Sequence, residues 1–190
     1  MTVLAEPRVL VLVEGPSDET AIRTLARRLG RDLHAEGVSI VSIGGATNIR
    51  AVLELLGVPR TGVRLAGLCD AREAPHFQRA LEQAGLGAEL DREKMERLGF
   101  FVCDRDLEDE LIRTLGPHAV EEAFRRNGEL ESFRILQKQP AWRGQPAADQ
   151  LHRFLRSQSR RRYTAIQWLV EALDLNRLPR PLDSLLAYVR

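Results

Sequence analysis

Acidic side chains follow three of the four short apolar segments of this chain, each at the point where the segment ends. Glu14 comes directly after the first segment, and Asp70 comes after the third. The fourth segment is followed by Asp104, Asp106 and Glu108. Carboxylate oxygens are the ligands that Mg²⁺ and Mn²⁺ prefer. Two such ions can stabilise the attacking and leaving oxygens of a phosphodiester displacement, so the pattern predicts metal-dependent phosphate chemistry.

The same acids have a second interpretation as helix caps. A carboxylate at a helix N-terminus accepts hydrogen bonds from backbone amides that have no partner within the helix. Asp18, Asp70 and Asp106 each stand where a helix begins in the predicted pattern. The recurrence of acids at several strand ends favours a shared cluster, but a capping role stays open for each one taken alone.

The elements that must position these acids alternate between strand and helix patterns. Strands are predicted at 8–13, 37–43, 63–68 and 99–103, and helices at 20–29, 48–56, 75–84 and 107–115. This βαβ alternation predicts an α/β fold in which a small, parallel-rich sheet is flanked by helices. The carboxyl ends of parallel strands meet at one edge, which is where such sheets bind ligands.

The remainder of the chain has helix patterns only. Helices are predicted at about 118–127, 129–137, 147–157, 161–173 and 181–189. We therefore expect an all-helical C-terminal extension, with a catalytic domain at residues 1–116 and a helical subdomain at residues 117–190.

Composition excludes several classes of protein. With 44% hydrophobic and 29% charged residues among 190, the chain has the composition of a globular protein with a real core. No apolar run approaches the roughly 18 residues of a membrane span, and no secretory signal is evident. Cys69 and Cys103 are the only cysteines of the sequence, so disulfides are not expected. A cytoplasmic location is expected instead. Both cysteines are expected to be core residues and not nucleophiles.

Charge is divided unevenly along the chain. Residues 133–190 carry 11 basic and 4 acidic side chains, a net of +7, whereas residues 1–132 carry 17 and 23, a net of −6. A basic surface can hold a polyanion, although a solvated helical surface explains the same charges. The expected nucleic-acid contacts are Arg153, Arg156, Arg160, Arg161 and Arg162.

Aromatic and histidine side chains offer weaker signals. Trp142 and Trp168 could stack on bases, but Trp168 lies among apolar residues at helical spacing, which favours the core. The four histidines, among them His152, stand at no metal-ligand spacing and are expected to be ordinary surface or partly buried residues.

An ordered set of motifs resembles the Toprim domain of primases, topoisomerases and several nucleases, most closely the type found in OLD (overcoming lysogenization defect) nucleases. The motifs are VLVEGPSDE at 11–19, IGGATNI at 43–49, GLCD at 67–70 and DLEDELI at 106–112. In the first motif a Glu-Gly pair follows the strand, where glycine permits a sharp turn and leaves space for a phosphate or metal. The resemblance covers about residues 8–115, with further likeness in DQLHRFL at 149–155 and EALDLNRLPRPL at 171–182.

The resemblance implies a role for each matching acid. Glu14 would be the Toprim glutamate, acting as a metal ligand or general base, and Asp18 would be a second ligand from the same loop. Asp70 would be the first acid of an Asp-x-Asp motif, and Asp106 with Glu108 would complete a site for two Mg²⁺ or Mn²⁺ ions.

A cation beside this site is also implied by the resemblance. OLD nucleases carry a lysine there, and Arg162 is the expected substitute. Arginine can stabilise phosphate charge but cannot serve as a general base. Glu14, Asp70 and Arg162 are therefore the expected catalytic residues.

Two features depart from the family pattern. The second acid of Asp-x-Asp is replaced by Arg72, with Glu73 one residue further on, which removes a ligand and adds a positive charge. OLD proteins also have an ATPase domain before the Toprim, but the first strand here begins near Met1 and no Walker motif occurs. A stand-alone Toprim, or one with a separate ATPase partner, is therefore expected.

The favoured hypothesis is a divalent-metal-dependent nuclease that hydrolyses DNA by a two-metal Toprim mechanism, with phage defence as the role suggested by the family. The alternative is a non-catalytic or weakly active Toprim that binds nucleic acid or assembles with a separate ATPase. A Toprim acting on RNA or a nucleotide is a more distant possibility.

Overall fold

Four parallel strands form the centre of the protein. The structure is a computed structural model that describes residues 7–58, 62–157 and 162–190. Strands β1 (Val9–Val13), β2 (Val38–Ser42), β3 (Arg64–Asp70) and β4 (Phe100–Cys103) are arranged in the order β2-β1-β3-β4, and every neighbouring pair is parallel. All four predicted strands are confirmed, and the order brings the carboxyl ends of β1, β3 and β4 side by side.

Ten helices surround or extend this sheet within the described residues. They are α1 (Pro16–Arg28), α2 (Ile49–Leu55), α3 (Ala74–Gln83), α4 (Arg92–Arg97), α5 (Leu107–Leu115), α6 (Pro117–Arg126), α7 (Leu130–Lys138), α8 (Ala147–Ser157), α9 (Arg162–Ala172) and α10 (Arg180–Tyr188). Only α4 was not predicted. It has six residues and buries a single apolar side chain, Met95, which is too little to give a helical pattern.

The two faces of the sheet are covered by different parts of the chain. Alternating strand residues such as Val11, Val13 and Leu68 face α1 and the C-terminal helices, whereas Leu12 and Cys69 face the cluster formed with α2, α3 and α4. Both faces are buried, which explains the nearly continuous apolar sequence of the strands. The expected α/β class with a helical C-terminal part is confirmed.

The C-terminal helices complete one face of the sheet and do not stand apart from it. Helix α9 packs along α1, and the Arg28 guanidinium donates hydrogen bonds to the carbonyl oxygens of Val170 and Leu173 at 2.7 and 2.8 Å. Arg31 donates to the carbonyl of Leu186 in α10. Residues before and after position 117 thus share one core. The division into two domains stays a prediction.

Close packing at Gly67 brings β3 and β4 together near the edge of interest. A Cβ atom at Gly67 would lie 2.5 Å from a ring carbon of Phe100. Phe100 is fully buried and packs against Phe77 of α3, with ring centroids 6.2 Å apart. A larger residue at position 67 would therefore displace the helices that cover this face.

Membrane insertion has no support in the helices. Across residues 7–58, 62–157 and 162–190, none of the helices combines the length and the apolar character that crossing a bilayer requires.

Candidate active site at the acidic edge

Glu14 and Asp70 are joined directly at the carboxyl ends of two neighbouring strands. Val13 pairs with Leu68 in the parallel register, so the residues that follow β1 lie beside the end of β3. The Asp70 backbone amide donates a hydrogen bond to Glu14 Oε1 at 2.9 Å. This bond fixes the Glu14 carboxylate against β3, as the strand-end argument predicts.

Asp18 approaches the same place from the first turn of α1. Its Oδ2 accepts a hydrogen bond from the amide of Gly15, the N-cap residue, at 3.0 Å. The capping interpretation is therefore correct for Asp18, and its charge also acts on Asp70.

Gly15 has a φ of −157°, an extended conformation open to any residue, so a sharp turn does not explain the glycine. A Cβ atom there would meet nothing within 4 Å, so the space beside the chain is open.

The side chain of Asp70 stands among like charges. Burial raises the pKa of Asp70 from its ordinary value, and the negative charges of Glu14, Asp18, Asp106 and Glu108 raise it further, to about 8. These acids come from the ends of β1, β3 and β4 and from the helices that follow β1 and β4. We call these five residues the acidic edge. The other four acids named as metal ligands from the sequence therefore all act on Asp70 through their charge.

Asp106 belongs to the acidic edge but makes direct contacts with a histidine and an arginine. It caps α5 by accepting a hydrogen bond from the Asp109 amide at 2.9 Å. Its Oδ2 also lies 2.7 Å from His152 Nε2 and 2.8 Å from Arg156 Nη1, both on α8. Burial alone would raise the pKa of Asp106, but the hydrogen bonds from His152 and the Asp109 amide outweigh it and lower the pKa to about 2.

His152 is the residue of this site that sequence reasoning missed. It is buried and contacts Asp106, although the two are 46 positions apart in sequence. The available signal was that His152 and Arg156 are one helical turn apart and so share a face of α8. Nothing in the sequence identified Asp106 as the residue that this face meets.

Two other acids near the edge, Asp104 and Glu110, make structural contacts within the protein. Asp104 is exposed and pairs with Arg92 at 2.7 Å and with Arg113 at 3.2 Å. Hydrogen bonding to Arg92 lowers the pKa of Asp104. Glu110 is buried and accepts a hydrogen bond from the Asp104 amide at 2.9 Å. Glu108, by contrast, is buried in the first turn of α5, and its charge reaches Asp70.

Arg72 lines an open groove over the acidic edge. The groove has a volume of about 520 Å³, and its walls also include Asp70, Glu73, Asp106 and Arg156. Arg72 is exposed, and Glu73 lies 3.7 Å from His76. Arg72 and Asp70 thus line the same groove, and Arg72 stands where the family pattern has an acid.

The carboxylates of the acidic edge are neighbours but do not form a ready coordination sphere. Among the residues that the structure describes, no three His, Cys, Asp or Glu side chains are grouped closely enough to hold a metal ion. The ligand assignments to Glu14, Asp18, Asp70, Asp106 and Glu108 stay predictions.

The predicted nucleic-acid contacts are described only in part. Arg153 and Arg156 are exposed on α8. The helix ends at Ser157, and Arg160 and Arg161 lie outside the described residues. Arg162 begins α9, but its side chain also lies outside the described part. The predicted contact between Arg162 and the acidic edge therefore stays a prediction.

Both cysteines are core residues, as expected. Cys69 and Cys103 are free and buried. Burial, with the nearby carboxylates, raises the pKa of each thiol well above its ordinary value. Neither is suited to act as a nucleophile at neutral pH.

Comparisons with known proteins agree with this architecture. Residues 8–71 match the family model of the OLD-like Toprim domain, described as overcoming lysogenization defect protein-like. The C-terminal region of the Xanthomonas campestris pv. campestris OLD protein is similar to this chain with a TM-score of 0.71 and 24% identity, over 96% of this chain and 92% of that one.

A second solved structure gives the same result. The C-terminal region of the Burkholderia pseudomallei OLD protein is similar with a TM-score of 0.69 and 21% identity, over 97% of each chain. At these identities the two likenesses show the fold. No curated protein sequence matches the chain significantly. The resemblance to an OLD-type Toprim is confirmed.

Proposed function

We propose that the acidic edge binds divalent cations, Mg²⁺ or Mn²⁺, and that the chain hydrolyses phosphodiester bonds of DNA as an endonuclease. The observation that carries the proposal is the convergence of Glu14, Asp18 and Glu108 around Asp70 at the carboxyl edge of a parallel sheet. Carboxylates that lie near one another are costly to keep ionised together. A divalent cation removes this cost, and the family match to residues 8–71 supports the same use of the edge.

The donor set fits a hard cation. Glu14, Asp18, Asp70 and Glu108 supply oxygen atoms only, which suits Mg²⁺ and Mn²⁺ and not a soft metal. Asp106 is the least available of the five, because His152 and Arg156 already occupy one of its oxygens. When bound, the ions activate water and neutralise the leaving oxygen.

The protein's own groups have separate tasks in this reaction. The Asp70 amide orients the Glu14 carboxylate, which would hold a cation or accept a proton from the attacking water. Arg153 and Arg156 line the approach and would hold phosphate groups of the substrate. Arg162 would stabilise charge on the scissile phosphate, as its match to the family lysine implies.

A second candidate function has its own supporting observation. Arg72 lines the same groove as Asp70, and His152 and Arg156 of α8 occupy one oxygen of Asp106. These contacts favour a weakly active or non-catalytic Toprim that binds nucleic acid or assembles with other subunits. A separate ATPase partner, a cytoplasmic location and a role in phage defence rest on the sequence analysis alone and stay predictions.

Metal titration combined with plasmid nicking separates the two functions. Calorimetry should detect Mg²⁺ or Mn²⁺ binding, and the same protein should convert supercoiled plasmid to nicked circles only when the ion is present. Plasmid binding without metal binding or nicking would support the second function instead.

Replacing Arg160, Arg161 and Arg162 together by alanine should weaken DNA binding and reduce its salt dependence while metal binding changes little.

A further inference from the structure

A second groove continues from the acidic edge along α8. It has a volume of about 430 Å³ and lies between α8 and the connection that joins α7 to α8. Arg105, His152 and Arg156 line both this groove and the one over the acidic edge. We call the second one the side groove. Because three residues line both grooves, the two grooves lie side by side on the surface.

Basic side chains of the side groove are available to a ligand. Within residues 7–58, 62–157 and 162–190, Arg153 has no hydrogen-bond or ion-pair partner. Arg105 pairs with Asp149 at 3.4 Å, and about half of each side chain is exposed. Exposed pairs of this kind contribute little stability, so a phosphate can replace Asp149 at small cost. The groove thus offers positive charge next to an acidic site.

Trp142 gives the side groove an aromatic surface that is held in place from behind. The indole lines the groove and packs partly against the core. The carbonyl of Trp142 accepts a hydrogen bond from Gln150 Nε2 at 2.7 Å, and Gln150 Oε1 accepts one from Gln137 Nε2 at 2.7 Å. Gln150 is buried on α8 and Gln137 is on α7. The two helices therefore fix the connection that carries the tryptophan.

An aromatic face beside arginines suits one kind of ligand chemistry. A base can stack on an aromatic ring only after it leaves the duplex, whereas its phosphates remain available to arginine. Stacking tolerates any base and contributes about 1–3 kcal/mol for each one. A groove of about 430 Å³ falls within the usual range for small-ligand sites.

We propose that the side groove binds an unpaired segment of a DNA strand on one side of the scissile phosphate, with a base stacked on Trp142 and phosphates held by Arg153 and Arg105. This inference rests on the proposed function for the identity of the polymer and adds its state: the substrate has unpaired nucleotides next to the cleaved bond. Duplex DNA reaches the same position only where its strands are separated.

Fluorescence provides a direct test, because the chain has only two tryptophans. In the Trp168→Phe variant, Trp142 is the sole reporter. We expect a thymidine oligonucleotide of about six residues to quench it in EDTA, and a blunt duplex of equal length to cause little change. Trp142→Leu should weaken binding of the oligonucleotide by about 5- to 100-fold. Arg153→Ala should lower the salt slope of binding by about 0.7.

Arg143→Ala is the matched control. Arg143 neighbours Trp142 in sequence, is exposed and lies outside the walls of the side groove, so this variant should bind like the unmodified protein. If Trp142→Leu unfolds at a lower temperature, Arg153→Glu tests the same groove from an exposed position without disturbing the core. Unchanged oligonucleotide affinity in Arg153→Glu, or equal quenching by the duplex, would overturn the proposal.

Cleavage assays distinguish failure of the side groove from failure of the nuclease function. If metal-dependent nicking occurs and Arg153→Glu neither weakens binding nor slows nicking, the side groove is not a DNA site and the nuclease function stands. If no metal ion supports nicking but oligonucleotide binding depends on Trp142 and Arg153, the side groove stands and the hydrolytic function falls.

Discussion

Asp70 and Asp106 lie at the ends of neighbouring strands, yet their environments change their acidity in opposite directions. Asp70 ends β3, and Asp106 follows β4, whose Cys103 pairs with Asp70 in the sheet. Burial and like charges raise the pKa of Asp70 to about 8. Burial would also raise the pKa of Asp106, but hydrogen bonds led by the one from His152 hold it at about 2. Because both residues lie at the same edge of the sheet, the difference between their pKa values comes from the helices.

Helix α8 is the source of that difference. It brings His152 and Arg156 to one oxygen of Asp106, whereas the charges that act most strongly on Asp70 are those of other carboxylates. On the β4 side, Asp106 is therefore paired within the protein, whereas the charge of Glu108 still acts on Asp70. On the side formed by β1 and β3, the charges of Glu14 and Asp18 raise the pKa of Asp70. We therefore expect a divalent cation to bind on that side. Each of the following experiments tests one half of this contrast.

The largest effect is expected from removing a charge on the β1 side. Glu14→Gln keeps an oxygen that can accept the Asp70 amide hydrogen bond, so the fold should be retained. Metal-dependent plasmid nicking should fall by at least about a hundredfold. Glu19→Gln, in the first turn of α1, is the control and should cleave normally. Normal cleavage by Glu14→Gln would move the reaction away from this side, and loss of folding would mean that Glu14 is structural.

The pH dependence of stability tests the raised pKa of Asp70. Because its pKa rises from 3.8 to about 8 on folding, the folded state holds the proton more tightly. The free energy of unfolding of the ion-free protein should therefore fall as pH rises from about 4 to about 8 and change no further through this group. Asp70→Asn should flatten this dependence in thermal unfolding with EDTA.

Magnesium should act in the opposite direction, because the ion competes with the proton for Asp70. A hundredfold excess over its dissociation constant should raise the Tm by about 5–10 °C at pH 9 and by less at pH 6. The same stabilisation at both pH values would show that the ion does not displace the proton from Asp70.

A smaller effect is expected from breaking the contacts of Asp106 on the β4 side. Asp106→Asn removes the charge that pairs with His152 and Arg156, and should lower the free energy of unfolding by about 2 kcal/mol at pH 7. Because the pKa of Asp106 is lowered on folding, this contribution is present above about pH 4 and is lost as pH falls towards 2. Urea unfolding at pH 7 and pH 3 measures the change.

Asp104→Asn is the control for Asp106→Asn. The ion pairs of Asp104 with Arg92 and Arg113 are exposed. Asp104→Asn should therefore lower the free energy of unfolding by less than about 1 kcal/mol. Nicking by Asp106→Asn would then report whether Asp106 also binds metal. Unchanged nicking would restrict its role to holding α8.

The smallest effect is expected at position 72. Arg72→Asp changes the charge in the groove over the acidic edge by −2 and should tighten Mg²⁺ binding by about two- to fivefold, as measured by calorimetry. Arg126→Asp makes the same change of charge on α6, outside the groove, and should leave the affinity unaltered. No difference between the two variants would mean that Arg72 points away from the bound ion.

Local sequence patterns were sufficient for the sheet and for the acids at its edge. The apolar runs ending at Glu14 and Asp70 identify both the strands and the carboxylates, because a parallel sheet collects strand ends at one edge. The pairing of Asp106 with α8 could not be predicted in this way, since it joins residues 46 and 50 positions apart. The short helix α4 was missed for a different reason: one buried side chain leaves no periodic signal.

The anchoring of α1 by the last helices has a consequence for synthesis of the chain. Arg28 hydrogen-bonds to carbonyl groups 142 and 145 residues further on, and one face of the sheet is closed by α9 and α10. While a ribosome still holds these helices, the nascent sheet exposes that apolar face. Contacts of such long range form late and slow folding. The growing chain is thus exposed to aggregation and proteolysis until α9 and α10 emerge, although its acidic residues have long been translated.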